Sequence, residues 1–167
     1  MNVSPRAALI SISTSRSAGA AADRSREPLE SLAAQLGVEV HAFELIPDER
    51  ELIEQLLRRY SDEEPCELIL TSGGTGVAPG DVTPEATLAV IERNVPGIPE
   101  ALREASRAHT PNWMLSRAQA GIRGGSLIVN FPGSPASIEQ AGVALAPALS
   151  HALALIAGRS AGHQRTD

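Results

Sequence analysis

The chain has 167 residues, a formal net charge of −6, aromatic side chains at only 2% of positions and one cysteine, Cys66. That length suits a single domain with a substantial core, and the negative charge and scarcity of rings argue against a nucleic-acid binder. A lone cysteine excludes an intrachain disulfide or a cysteine metal cluster and suits a reducing cytoplasm. All fourteen basic side chains are arginine, so a mechanism that needs a Schiff-base or phosphate-loop lysine is closed to this protein.

The N-terminal stretch MNVSPRAALISISTSRSAGAAA carries a charge, an apolar run and small residues. Its apolar run is too short for a leader peptide, and Arg16 interrupts the approach to any cleavage point. AALISIS (7–13) therefore reads as a first buried strand. A loop rich in Ser, Ala and Gly follows, then a helix around EPLESLAAQL, where Leu29, Leu32, Ala33 and Leu36 share one face. VEVHAFELI (38–46) alternates as a second strand. In DERELIEQLLRRY, Leu52, Ile53, Leu56, Leu57 and Tyr60 form a helical stripe.

ELILTS (67–72) is the third strand, and it breaks into a glycine-rich turn that ends at Asp81. TPEATLAVIERN then begins a helix, with Thr83 expected as N-cap and Pro84 at the first helical position. VPGIPEALREASRAH is expected to be helical after its prolines, and HTPNWMLSRAQAG to be a loop leading into a short strand. SLIVNF (126–131) is a buried strand. PGSP then starts a long helix whose Ile138, Ala141, Leu145, Leu149, Leu153 and Ile156 recur every three or four residues. RSAGHQRTD is a polar tail. No segment has the roughly 18 consecutive apolar residues of a membrane span.

Strands separated by helices predict an α/β protein with a largely parallel sheet covered on both faces, its ligands at the carboxyl ends of the strands. Two strand-to-helix junctions, LTSGGTG and NFPGSP, then fall on the same edge and predict one anion-binding pocket between residues 72–76 and 130–134. Neither junction matches a common nucleotide fingerprint, and tight turns with helix caps are the alternative reading. Asp48 and Asp81 are a candidate Mg²⁺ pair, because that ion is held through one or two carboxylates, waters and substrate phosphates. For Asp48 the alternative is a capping box with Glu51. Trp113 is flat enough to cover a heterocycle but is expected to pack on the core, and the four histidines show no metal-ligand spacing.

In the same order along residues 5–158 stand TSGGTG, then DVTPEAT from Asp81, then IERNVPG (91–97), LSR (115–117) and GIRGGSLIVNFPGSP (121–135). This succession resembles the Mog/MoaB family of molybdenum cofactor biosynthesis, the molybdopterin adenylyltransferases. The resemblance implies a three-layer α/β/α sandwich with a mostly parallel sheet. It implies one molybdopterin-binding domain over residues 1–158, with residues 159–167 as the tail. It also implies a cytoplasmic homotrimer that adenylylates molybdopterin with Mg²⁺ and ATP, releases pyrophosphate, and hands the product to a molybdenum-insertion enzyme.

By the same resemblance, Asp48 and Asp81 match the catalytic and Mg²⁺-linked aspartates. Ser72, Thr75, Ser106, Ser116 and Asn130 match substrate-binding positions, and Gly73, Gly74, Gly76, Pro132, Gly133 and Ser134 match the two backbone loops. Arg117 and Arg123 are further candidates for anion contacts. The chain departs from the family after Asp23, where Ser25 and Arg26 stand in place of a frequent glycine. A pterin-binding or carrier protein without catalysis is the alternative function, and retention of both aspartates favours the enzyme.

Overall fold

Strand β1 (Arg6–Ile12) buries every residue after its first, which only a strand covered on both faces does. The computed structural model describes residues 4–158, so the polar tail at 159–167 lies outside the described residues. After β1 come a short helix α1 (Thr14–Ser17), α2 (Arg26–Gln35), β2 (Glu39–Ile46) and α3 (Arg50–Arg58), whose last turn widens into π-helical geometry over Arg59–Glu63. Next are β3 (Leu68–Ser72), α4 (Thr83–Val90), β4 (Arg93–Asn94), α5 (Gly97–Arg107), a 3-10 turn (Trp113–Leu115), β5 (Ala120–Arg123), β6 (Ser126–Phe131) and α6 (Pro135–Ile156).

The strands form one six-stranded sheet in the order β2-β1-β3-β6-β5-β4. Strands β2, β1, β3 and β6 are parallel, and β5 and β4 extend the edge antiparallel. Alternation along the strands sorts the core into two layers. Ala7, Leu9, Leu68, Leu70, Leu127, Val129 and Phe131 face α2, α5 and α6, while Ala8, Ile10, Ile12, Ile69 and Ile128 face α3 and α4. Each of these fully buried leucines and isoleucines contributes about 1.5–3 kcal/mol relative to exposure. The three-layer α/β/α expectation is therefore met.

The differences from expectation lie where tertiary pairing overrides local pattern. The helix begun at Thr83 stops at Val90, because Glu92 and Val95 donate their N–H groups to Ile122 and Ala120 of β5 and draw the chain into β4. Helix α6 is long and apolar enough to span a membrane by length and composition. Its stripe of Ile138, Ala141, Leu145, Leu149 and Leu153 is instead buried against the sheet.

Candidate functional site

Strand β1 continues to β2 on one side and has β3 on the other, so the chain reverses direction across the sheet at the β1/β3 boundary. Crevices form at such a boundary, outside the carboxyl ends of the strands. The registers bring Ser11, Ser72 and Phe131 to one level, so the loops after β1, β3 and β6 leave the sheet side by side.

The loop after β3 is compressed against its neighbours. Gly73 has φ +104°, and a Cβ there would lie 2.1 Å from the carbonyl oxygen of Ile12. Its N–H donates to Phe131 O at 3.0 Å. Gly74, at φ +65°, leaves room for Thr83 Oγ1 and Asp48 Oδ1, which a Cβ would approach to 2.4 and 3.0 Å. Only glycine fits both demands. Thr83 is not the cap of α4, a position taken by Val82. Its hydroxyl donates to Gly73 O (2.9 Å) and its N–H to Gly74 O (3.1 Å), so it fastens the loop. Ser72 Oγ donates to Pro132 O (3.1 Å) and ties this loop to the one after β6.

The N–H groups of Gly74, Thr75, Gly76, Gly133 and Ser134 have no acceptor among the described residues. These donors and the N-terminus of α6 suit an anion.

Asp48 does not cap α3, which begins at Arg50 with Glu49 as its N-cap residue. Its Oδ2 accepts from Thr14 N (2.8 Å) and Thr14 Oγ1 (2.9 Å), and Thr14 Oγ1 accepts from Asp48 N (3.1 Å). Oδ1 takes no protein donor among the described residues. Asp81 Oδ2 accepts from Ala78 N at 3.0 Å, and its Oδ1 is likewise without a donor among the described residues. Both carboxylates line one cavity of about 480 Å³.

Among the described residues no three His, Cys, Asp or Glu side chains converge as a metal cage. Two carboxylates, each with an oxygen to spare, beside unpaired backbone donors nevertheless fit Mg²⁺, which keeps waters and takes its remaining ligands from phosphates.

The predicted loop residues Gly73, Gly74, Thr75, Gly76, Pro132, Gly133 and Ser134 line this cavity, and so do Ser106 and Ser116. Ser72 and Asn130 do not. Both are fully buried, and Asn130 donates through Nδ2 to Thr71 and Thr87 hydroxyls (2.9 Å each) while Oδ1 accepts from Gln119 N (3.1 Å). The two arginines singled out as anion contacts are engaged elsewhere. Arg117 pairs with Glu85 and donates to Gly76 O and Asp81 O (2.7 Å each), bracing the glycine loop from outside. Arg123 pairs with Asp62 at 2.7 Å. Those ion pairs hold the Glu85 and Asp62 carboxyls below their ordinary values.

The arginine that does line the cavity is Arg16, which sequence reasoning passed over. It pairs with Asp23 (3.0 Å) and reaches Gly133 O (3.4 Å). Burial would raise the Asp23 carboxyl, but hydrogen bonds from the Ser25 side chain and backbone, Arg16 and Ser11 outweigh it and hold the pKa below the usual value. The available signal was position, since Arg16 stands in the third strand-to-helix junction of the same sheet edge. Trp113, expected against the core, also lines the cavity.

Residues 8–151 match the family described as probable molybdopterin binding domain. The chain is 46% identical over 116 residues to a molybdopterin adenylyltransferase of Helicobacter pylori, a match covering 70% of this chain and 66% of that protein, just under two thirds of its length. It is 44% identical to the Escherichia coli K12 molybdopterin adenylyltransferase over 81% of this chain and 70% of that one. The crystal structure of the molybdopterin biosynthesis enzyme MoaB from Thermus thermophilus superposes with a TM-score of 0.87 at 42% identity, covering 92% of this chain and 97% of that one.

Proposed function

Because this chain belongs to the molybdopterin-binding domain family, we propose that it is a molybdopterin adenylyltransferase of molybdenum cofactor biosynthesis, with residues 1–158 as its single domain. The observation that carries this reading is the convergence of Asp48, Asp81 and two loops with unpaired backbone N–H groups on one cavity. ATP and molybdopterin are the substrates. The terminal phosphate oxygen of molybdopterin attacks the α-phosphorus of ATP, a new P–O bond forms, the bond to the β-phosphate oxygen breaks, and pyrophosphate leaves. No protein nucleophile takes part.

The chain's part is alignment and charge neutralisation. The amides of Gly74, Thr75 and Gly76 cradle one phosphate group and those of Gly133 and Ser134 another. Arg16 supplies the positive side chain, and Ser106 and Ser116 line the substrate pocket. Asp48 and Asp81 would hold Mg²⁺, which supplies further neutralisation of the phosphates. The enzyme works in the cytoplasm as a homotrimer and passes its product to a molybdenum-insertion enzyme.

The test is Mg²⁺-dependent formation of adenylylated molybdopterin and pyrophosphate from ATP and molybdopterin by the purified protein. Pterin binding without turnover would replace this reading with that of a carrier.

A further inference from the structure

The chain has four aromatic rings of Phe, Tyr or Trp type. Tyr60 and Phe131 are buried in the core, and Phe43 lies beneath the Arg26 guanidinium at 4.7 Å. Trp113 alone forms part of the cavity wall. It sits half-buried on the 3-10 turn after α5, where Leu115 N donates to Asn112 O (3.0 Å) and Asn112 N to Thr110 Oγ1 (3.2 Å). That turn is fastened on its C-terminal side. Arg103 donates to Ser116 O and Ala118 O, and Arg117 N donates to Thr75 O at 2.8 Å, which joins it to the glycine loop. The Arg107 guanidinium lies over the indole, 5.7 Å from the ring centroid.

We infer that Trp113 is a stacking platform for the planar, nitrogen-rich heterocycle of a bound substrate. An indole left on a cavity wall has apolar area that a flat ligand buries, and the guanidinium over one face orients the ring while leaving the other for the ligand. Around it stand groups that read a heterocycle's edge. Ser106 Oγ donates to Leu102 O and keeps its lone pairs, Thr110 Oγ1 accepts from Asn112 N and keeps its proton, and the Asn112 side-chain amide has no partner among the described residues. An aliphatic ligand would leave these unpaired. Adenine and pterin share the required chemistry, and this inference rests on the adenylyltransferase reading.

Calorimetric titration of the full chain with AMP, with pterin-6-carboxylate and with pyrophosphate tests it, using wild type, Trp113→Phe and Trp113→Ala. Trp113→Ala should weaken one heterocycle by roughly tenfold or more. Trp113→Phe should stay within about threefold of wild type for the same ligand, and pyrophosphate affinity should be unchanged in both variants. Loss of AMP affinity alone assigns the ring to adenine, and loss of pterin affinity alone assigns it to the pterin. Equal heterocycle affinities in all three proteins, or a parallel loss of pyrophosphate, would overturn the stacking role. Wild type that binds pyrophosphate but neither heterocycle would overturn it too, and wild type that binds none of the three would overturn the adenylyltransferase reading with it.

Discussion

The Arg16 guanidinium and the Asp23 carboxylate meet at 3.0 Å with side-chain exposures of only 18% and 11%. The same carboxylate oxygen accepts from Ser11 Oγ (3.0 Å) and Ser25 Oγ (2.7 Å), so the pair is seated by β1 and the start of α2 together. Arg16 is thereby pointed at Gly133 O on the rim of the cavity. Ser25, the N-cap residue of α2, is one of the residues that seat it.

Replacing Arg16 removes a charge-assisted contact of about 1.5–3 kcal/mol from a phosphate, so Arg16→Gln is expected to raise the KM for ATP by roughly tenfold or more. Asp23→Asn keeps the shape but frees the guanidinium and should raise KM by a smaller factor. Steady-state kinetics on both variants decides the matter, and an unchanged KM in Arg16→Gln would remove the residue from the site.

Acid stability carries a second signature of that pair. Asp23 titrates below its ordinary 3.8 in the folded protein. Its contribution to stability is complete above that value and is lost as the pH falls through the lowered folded value. Urea unfolding of wild type and Asp23→Asn should therefore show a gap at about pH 6 that narrows as the pH falls below 3.8. A gap constant over that interval would contradict the lowered pKa.

For the two cavity carboxylates the expectation is a loss of rate with little loss of stability. Asn at position 48 still presents an oxygen to Thr14, so Asp48→Asn should cost no more than about 1 kcal/mol while turnover falls by about a hundredfold or more. Asp81→Asn should behave alike, and pterin affinity should survive in both. Undiminished turnover would exclude these aspartates from Mg²⁺ binding.

Backbone approach makes Gly73 unlike the other glycines of its loop. Gly73→Ala sets a Cβ against Ile12 O, a backbone atom that cannot step aside, at a φ that L residues rarely adopt. A loss of about 2 kcal/mol or more is expected in chemical denaturation. Gly80→Ala, with open space and no positive φ, should change stability by less than about 0.5 kcal/mol. Equal effects would show that the loop is not pressed on β1.

Asn130 joins β6, β3, α4 and the segment before β5 through three hydrogen bonds of its side chain. Asn130→Ala leaves buried partners unpaired and should cost about 1–3 kcal/mol, with the KM for ATP nearly unchanged. A large change in KM at full stability would return this residue to the substrate.

Most of the framework was legible in the residues because its causes are local. A continuous apolar run such as SLIVNF makes a buried strand wherever it stands, and the spacing of Ile53, Leu56 and Leu57 makes a helical face. The glycine run after β3 announced a turn of bare backbone suited to an anion, and alternation of strand and helix put that run and PGSP on one sheet edge. Asp48 and Asp81 were singled out as a pair because two carboxylates beside an anion-binding loop suit Mg²⁺.

The tertiary structure decided which partner each polar group takes. Local spacing offers Asp48 the cap of its own helix, yet it bonds Thr14, 34 residues away. Thr83 has the makings of a cap and fastens Gly73 instead, while Arg117, adjacent to the pocket in sequence terms, is consumed by Glu85 and the outside of the loop. Arg16, Trp113 and the two-residue strand β4 carry no periodic signal at all. Hydrophobic periodicity repeats along the chain and can be read from it, whereas a hydrogen bond or an open cavity wall depends on which distant segments the packed layers bring within about 3 Å of each other.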